Sequence, residues 1–407
     1  MEVFRRLSLA METEIASTAS TFLIAETGAL YACGYNYNGQ LGLGDNQDRS
    51  TLTRVPLQES VKTVVARGVS MVVLTISGAL YACGNNASGQ LGLGDFSDRS
   101  TLQRVPLEES VKTVVISGRS TYVLTVSGAL YACGYNASGQ LGLGDFSDRS
   151  TLQRVPLEES VKTVVTSSSS AYVLTVSGAL YACGYNGSGQ LGLGDNEHRS
   201  TLTRVPLTES VRTIVAGNSF AYVITVSGAL YACGYNGFGQ LGFGDEQDRS
   251  TLQRVPLVER VKKVVTDDSN STFVLTVSGA LYTCGYNGCG QLGLGDNRNR
   301  TTLQRVALGE TVKTLVTGNR NIYVLTVTGA LYAGGNNHYG QFGLGDSQNR
   351  PILEKVPIEE VKVFVIDGCS AFIVAVSGAL YACGNNRYGQ LGLGDNETRL
   401  VFALVTS

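Results

Sequence analysis

The chain has no tryptophan, two histidines and only 16% charged residues among 407. The missing Trp excludes repeats built on a Trp-Asp or a double-Gly-with-Trp signature. The two histidines, His198 and His338, stand in different segments with no partner motif nearby, so no histidine-centred catalytic set or metal site can be assembled. No stretch approaches the roughly 18 consecutive apolar residues of a membrane span. Residues 1–22 carry two Arg and scattered polar groups, not a continuous apolar run with a cleavage site. A formal net charge of −2 predicts no general attraction to nucleic acid or acidic membranes. The 43% of hydrophobic residues is ample for a core.

What is present is repetition. Gly-Ala-Leu-Tyr opens each unit at Gly28, Gly78, Gly128, Gly178, Gly228, Gly279, Gly329 and Gly378, giving spacings of 50, 50, 50, 50, 51, 50 and 49. Each unit continues through Gly-x-Asn to Gly-Gln-Leu-Gly-Leu-Gly-Asp, with small variations, and an Arg. A constant period of this length marks a closed or stacked architecture in which a unit buries its apolar face against its neighbours. Residues 1–407 are therefore read as one body of about eight 50-residue repeats.

Residues 151–186 serve as a specimen. Residues 152–157 alternate apolar and polar and carry a Pro near their end, as an edge strand does. Residues 161–165 and 172–176 are β-branched runs, Ser177-Gly178 is a hairpin signal, and residues 179–185 read as a fourth strand. Four antiparallel strands without a helical period make a propeller blade, so the predicted fold is an all-β, closed, eight-bladed propeller. Residues 14–16 and 21–25 match the second and third strands, and residues 400–405 match the first. The expectation is an eighth blade made from residues 1–25 plus 399–407, closing the ring by pairing of the terminal strands.

The glycine-rich crossing invites two chemical readings. A phosphate cradle fails because no helix pattern follows and no Lys-Ser/Thr closes the motif. A calcium loop at Asp45 and Asp48 fails because the second position becomes His198, Asn299, Asn349 and Thr398 elsewhere, and no bidentate Glu follows. The crossing is instead expected to be tied down locally, as by Asp195 with Arg199. Seven of nine cysteines, Cys33, Cys83, Cys133, Cys183, Cys233, Cys284 and Cys383, share one repeat position, which Gly334 takes in the remaining copy. They are expected to be buried, reduced thiols, too far apart to bridge, as in a reducing cytoplasm or nucleus. No cofactor, metal or catalytic residue is expected.

Residues 87–115 and 137–165 are identical, so differences between copies stand out. They gather between the second and third strands and in the crossing, two connections that leave a four-stranded antiparallel blade on the same side. The opposite side carries the Gly hairpin and a nearly uniform Glu-Ser connection. Tyr37, Phe96, Arg119, Phe146, Phe220, Phe238, Tyr339, Arg387 and Tyr388 are the candidate partner-binding residues of the individualised face. Drift of long surface loops produces the same pattern, and both readings stand.

The phrase Gly-x-Leu-Tyr-x-x-Gly-x-Asn-x-x-Gly-Gln-Leu-Gly-x-Gly-Asp resembles the repeat of the regulator of chromosome condensation family over essentially the whole chain. The family usually has seven repeats. It commonly carries Trp where Cys33 and its equivalents stand, and His where Ser20, Ser70, Ser120, Ser170 and Phe220 stand. The resemblance implies a propeller and, from the founding member, nucleotide exchange on the small GTPase Ran. That member's protruding wedge has no counterpart among repeats of nearly equal length, and its basic tail is matched only by Arg5 and Arg6. The family's ultraviolet-B receptor senses light through Trp clusters, which this chain lacks. A bacterial member that inhibits a β-lactamase implies that a bare propeller can act as a binding disc. The expected function is a non-catalytic protein-interaction module, with exchange on or regulation of a small GTPase as the alternative.

Overall fold

The computed structural model describes residues 19–405 apart from 268, 359 and 360. Its regular structure among the described residues is β alone, arranged as eight sheets in chain order, an eight-bladed propeller. The fourth blade shows the pattern: Val161–Thr166, Ser170–Thr175, Leu180–Gly184 and Arg199–Arg204, each antiparallel to the next. The innermost strands, such as Val61–Arg67, Val111–Ser117 and Val161–Thr166, follow one another around the axis. Three strands of the first blade are described, Ser20–Ile24, Leu30–Gly34 and Arg49–Arg54; residues 14–16, the expected further strand, lie outside the described residues.

Burial follows position in the blade. Every residue of Ser170–Thr175 is buried, because both faces of a second strand meet other blades. The outermost Arg199–Arg204 is only partly covered and keeps its polar residues. Gly178 adopts φ +88° and donates its N–H to Thr175 O at 3.1 Å, which is why the hairpin needs Gly. Cores lie between blades: Tyr122 and Leu124 of the third blade pack with Val164, Val173 and Cys183 of the fourth.

Two expectations are corrected. The strand predicted at 152–157 is Arg149–Arg154, and it is the outermost strand of the preceding blade, paired with Leu130–Gly134. The crossing folds back so that Arg149 lies opposite Gly134, and the ladder ends near Val155, whose N–H bonds to Leu130 O. By the same phase, Arg399–Leu404 pairs with Leu380–Gly384 of its own blade, and Ser20–Ile24 pairs with Leu30–Gly34. Among the described residues, Arg399–Leu404 is therefore the outermost strand of the eighth blade and does not pair with Ser20–Ile24; residues 1–18, 406 and 407 of the expected joint blade lie outside the described residues.

Blade-to-blade contacts close the ring instead. Thr21 Oγ1 donates to Gln390 O at 2.7 Å, as Thr121 Oγ1 does to Gln90 O. Gly394 N donates to Ser50 O at 2.9 Å, the counterpart of Gly94 N to Ser150 O at 2.8 Å. Leu23 packs with Phe372, Leu391 and Val405 across the same junction.

The repeat cysteines are buried free thiols at these junctions. Cys33 and Cys183 point at the Gln390 and Gln140 carbonyls of the preceding blade, and burial pushes both thiols up to about 12. At Gly334 the space is filled by Leu353, whose Cδ2 would lie 2.8 Å from an added Cβ.

Candidate functional site on the loop face

The first and third strands of a blade run parallel, so the turn after the first and the crossing after the third emerge together. Tyr185 N, opening the crossing, donates to Ser169 O of the turn at 2.8 Å. The individualised loops thus share one face.

Each crossing is built around a buried Asn. Asn136 Oδ1 accepts from Leu141 N at 2.9 Å, its Nδ2 donates to Asp145 O at 2.9 Å, and its N–H donates to Asp148 Oδ1 at 2.8 Å. Arg149 pairs with Asp145 at 2.5 Å, and the equivalent pair recurs in every blade, including Asp195 with Arg199. The Ser147 N–H first, then the Arg149 guanidinium, holds the Asp145 carboxyl below its ordinary value. The position of Asp48 supplies an acceptor for a backbone N–H, a role taken by His198 Nδ1 towards Asn186 N at 3.1 Å and by Asn299 towards Asn287 N at 2.9 Å. These side chains act as loop staples, which explains why Asp, Asn and His interchange there. No group of three metal-ligating side chains occurs among the described residues.

On this stapled backbone the candidate side chains sort into three sets. Tyr37 is 70% exposed and stacks with Tyr35, whose ring lies 5.0 Å from Tyr388 of the eighth blade; Arg387 sits 5.7 Å above Tyr388. A second run crosses three blades: Tyr235 to Phe238 at 6.1 Å, Phe238 to Tyr286 at 5.3 Å, and the Arg320 guanidinium 5.5 Å from Tyr286. Phe96 and Phe146, each 53% exposed, and the exposed Arg119 stand outside both runs, and Tyr339 contacts His338.

Phe220 is a correction. It is fully buried, edge-on to Tyr222, with Gly217 over its ring. In six other blades this position holds a buried Ser whose hydroxyl bonds inward, as Ser170 Oγ does to Tyr185 O at 2.8 Å, and in the seventh a buried Asn321, so a residue placed there points into the blade. Conversely, the half-buried Tyr35, Tyr235 and Tyr286 and the exposed Arg320 belong to these runs but were not among the candidates. The tyrosines recur between copies, and repetition reads as scaffold. The available signal was that Asn85, Asn336 and Asn385 replace them in three blades. Arg320 takes φ +61°, a left-handed conformation that costs a non-Gly residue about 1 kcal/mol.

Comparison with known proteins agrees with this geometry. The chain matches the RCC1-like domain over residues 111–406, and the regulator of chromosome condensation (RCC1) repeat over residues 27–72 and 77–124. Among solved structures it is similar to human WBSCR16, with 23% identity, a TM-score of 0.62, and 75% of this chain and 86% of that one covered. It is also similar to yeast RCC1 (Prp20) in complex with Kap60, with 19% identity, a TM-score of 0.63, and coverage of 80% and 83%. Prp20p from Saccharomyces cerevisiae, described with its binding to Gsp1p and histones, gives 19% identity, a TM-score of 0.63, and coverage of 82% and 87%. No curated protein matches the chain in sequence. Eight glycine-stapled blades and the matched repeats agree: this chain belongs to the RCC1-like domain family.

Proposed function

We propose that the protein is a non-catalytic binding disc that docks a protein partner on its loop face. The observation that carries this reading is the pair of aromatic and arginine runs, Tyr35–Tyr37–Tyr388–Arg387 and Tyr235–Phe238–Tyr286–Arg320, each crossing blade boundaries on a hydrogen-bonded loop framework. Tyr and Arg supply large contact area and charge-assisted bonds, and they dominate binding energy where they cluster. A framework fixed before binding lowers the ordering cost of association.

A second reading, regulation of a small GTPase, is supported by likeness to yeast RCC1, a protein described with its binding to Gsp1p. The experiment compares capture from native lysate by the intact chain and by a variant with Tyr37, Phe238, Arg387 and Tyr388 changed to Ala, alongside nucleotide-exchange assays on a panel of small GTPases. A partner retained only by the intact chain is the expected result. An unchanged capture pattern would overturn the loop-face reading, and accelerated exchange would select the GTPase one.

A further inference from the structure

The opposite end of the axis carries a different chemistry. Each innermost strand enters from the hairpin side through Val-Lys or Val-Arg, placing Lys62, Lys112, Lys162, Arg212, Lys262 and Lys313 at one register of consecutive blades, with Lys362 at the same register of the eighth. The register shifts just here, between Val161 and Thr163 and at the equivalent points, so the bulge sets the direction of the basic residue in each blade. Arg212 reaches the next innermost strand, donating to Val261 O at 2.6 Å and Lys262 O at 3.2 Å, and Lys262 Nζ reaches Lys313 O at 3.3 Å. The basic side chains thus follow the rim of the channel from blade to blade. A second cation, Lys263, adds to the sixth blade, with its Nζ on Leu315 O at 3.2 Å.

These cations are not neutralised by carboxylates among the described residues, where every ion pair is made by an Arg of a crossing. Glu109, three residues before Lys112 and on the same face, is turned outward from the innermost strand to the hairpin and third strand of its blade, accepting from Ser127 Oγ at 2.6 Å and from the Tyr131 hydroxyl at 2.7 Å. In the first blade the residue one repeat before Lys62 is Glu12, which lies outside the described residues. Burial first, and the neighbouring Lys262 second, lower the Lys263 pKa. The molecule as a whole is slightly acidic, so the concentration of positive charge at one mouth is a local arrangement.

We infer that the hairpin-side mouth of the channel binds a compact, multiply phosphorylated anion seated on the propeller axis. Cations spread around a ring favour a ligand whose charges radiate in several directions, and phosphate suits ammonium groups as point charges. An acidic peptide presents its charge along one line and meets only part of the ring.

The test is calorimetric titration of the intact chain with inositol hexakisphosphate, linear tripolyphosphate, inorganic phosphate and a poly-glutamate peptide. The variant K62Q/K112Q/K162Q is compared with R54Q/R104Q/R154Q, which removes equal charge from exposed outermost strands. Inositol hexakisphosphate is expected to bind, more tightly than tripolyphosphate and far more tightly than phosphate. Its affinity is expected to fall at least tenfold in the lysine variant, to hold within twofold in the arginine variant, and to weaken as salt screens the ring. The proposal is overturned if inositol hexakisphosphate does not bind, if both variants lose affinity equally, or if the peptide binds and the phosphates do not. Because both variants alter exposed side chains, melting curves matching the parent separate lost binding from lost folding.

Discussion

The two faces of the disc reverse the usual link between sequence variation and looseness. On the variable loop face, Gly134 stands at φ +100°, and an added Cβ would meet the Arg119 carbonyl oxygen and the Ser120 Cα. On the uniform hairpin face, Gly78 stands at φ +89° with nothing within 4 Å of an added Cβ. Next to the changing loops an added Cβ at the strand-end glycines meets backbone carbonyls at 2.2–2.4 Å, whereas at the constant hairpins its closest contacts, where it has any, are to side chains, as at Gly28 and Gly279. The loop face is thus a rigid platform with exchangeable fittings, and the hairpin face repeats because a Glu, a Ser or Thr and a Tyr form one small bonded unit in each of the second to seventh blades.

The sharpest way to break this comparison is an alanine at each glycine. Gly134→Ala combines an unfavourable φ with a backbone collision and is expected to cost about 4 kcal/mol. Gly78→Ala meets strain alone and is expected to cost about 1 kcal/mol. Urea unfolding of both variants reads the difference, and equal losses would remove the contrast.

A second pair compares the staples. Asn136→Ala leaves Leu141 N–H and Asp145 O without their buried partner and is expected to cost about 3 kcal/mol, whereas Ser127→Ala, at an exposed hairpin bond, is expected to cost about 0.5 kcal/mol. Thermal melting distinguishes them.

The smallest effect concerns acid. Asp145 on the loop face is held low by the Ser147 N–H and Arg149, and Glu109 on the hairpin face by Ser127 and Tyr131. A carboxyl whose folded pKa is depressed contributes stability above its unfolded value, near about 4, and that contribution is lost as pH falls through the folded value. Asp145→Asn is therefore expected to lower stability at neutral pH and to flatten the decline as pH falls below about 4. Glu109→Gln is expected to do the same from the other face. Urea midpoints across that range check both, and an unchanged acid slope would count against these carboxylates as the sensitive groups.

Much of the fold was legible because its signals are local. The Ser177-Gly178 hairpin and the β-branched runs announce themselves within one unit, and the repeat count follows from the spacing of the Gly-Ala-Leu-Tyr phrase. The blade phase did not, because any 50-residue window of a periodic chain contains four strands, and only hydrogen bonding to Leu130–Gly134 assigns Arg149–Arg154 to the earlier blade. Tyr37, Phe96, Phe146, Arg119 and Arg387 were found on the surface where loop variation placed them. Phe220 was misplaced because a large aromatic in a variable turn looks exposed until the inward register of Ser170 is known. Tyr35, Tyr235 and Tyr286 escaped notice for the opposite reason: a recurring residue can still face solvent when its neighbours across the blade boundary differ.

The junction between the eighth and first blades uses the same Thr, Gly and Leu contacts as its neighbours, and this bears on inheritance. Residues 87–115 and 137–165 are identical, so misaligned exchange between the corresponding stretches of coding DNA would insert or delete one whole unit in frame. Because the described junction repeats the contacts of its neighbours, the longer or shorter descendant would carry matching contacts from blade to blade, and the number of blades becomes a trait that can change in a single genetic event.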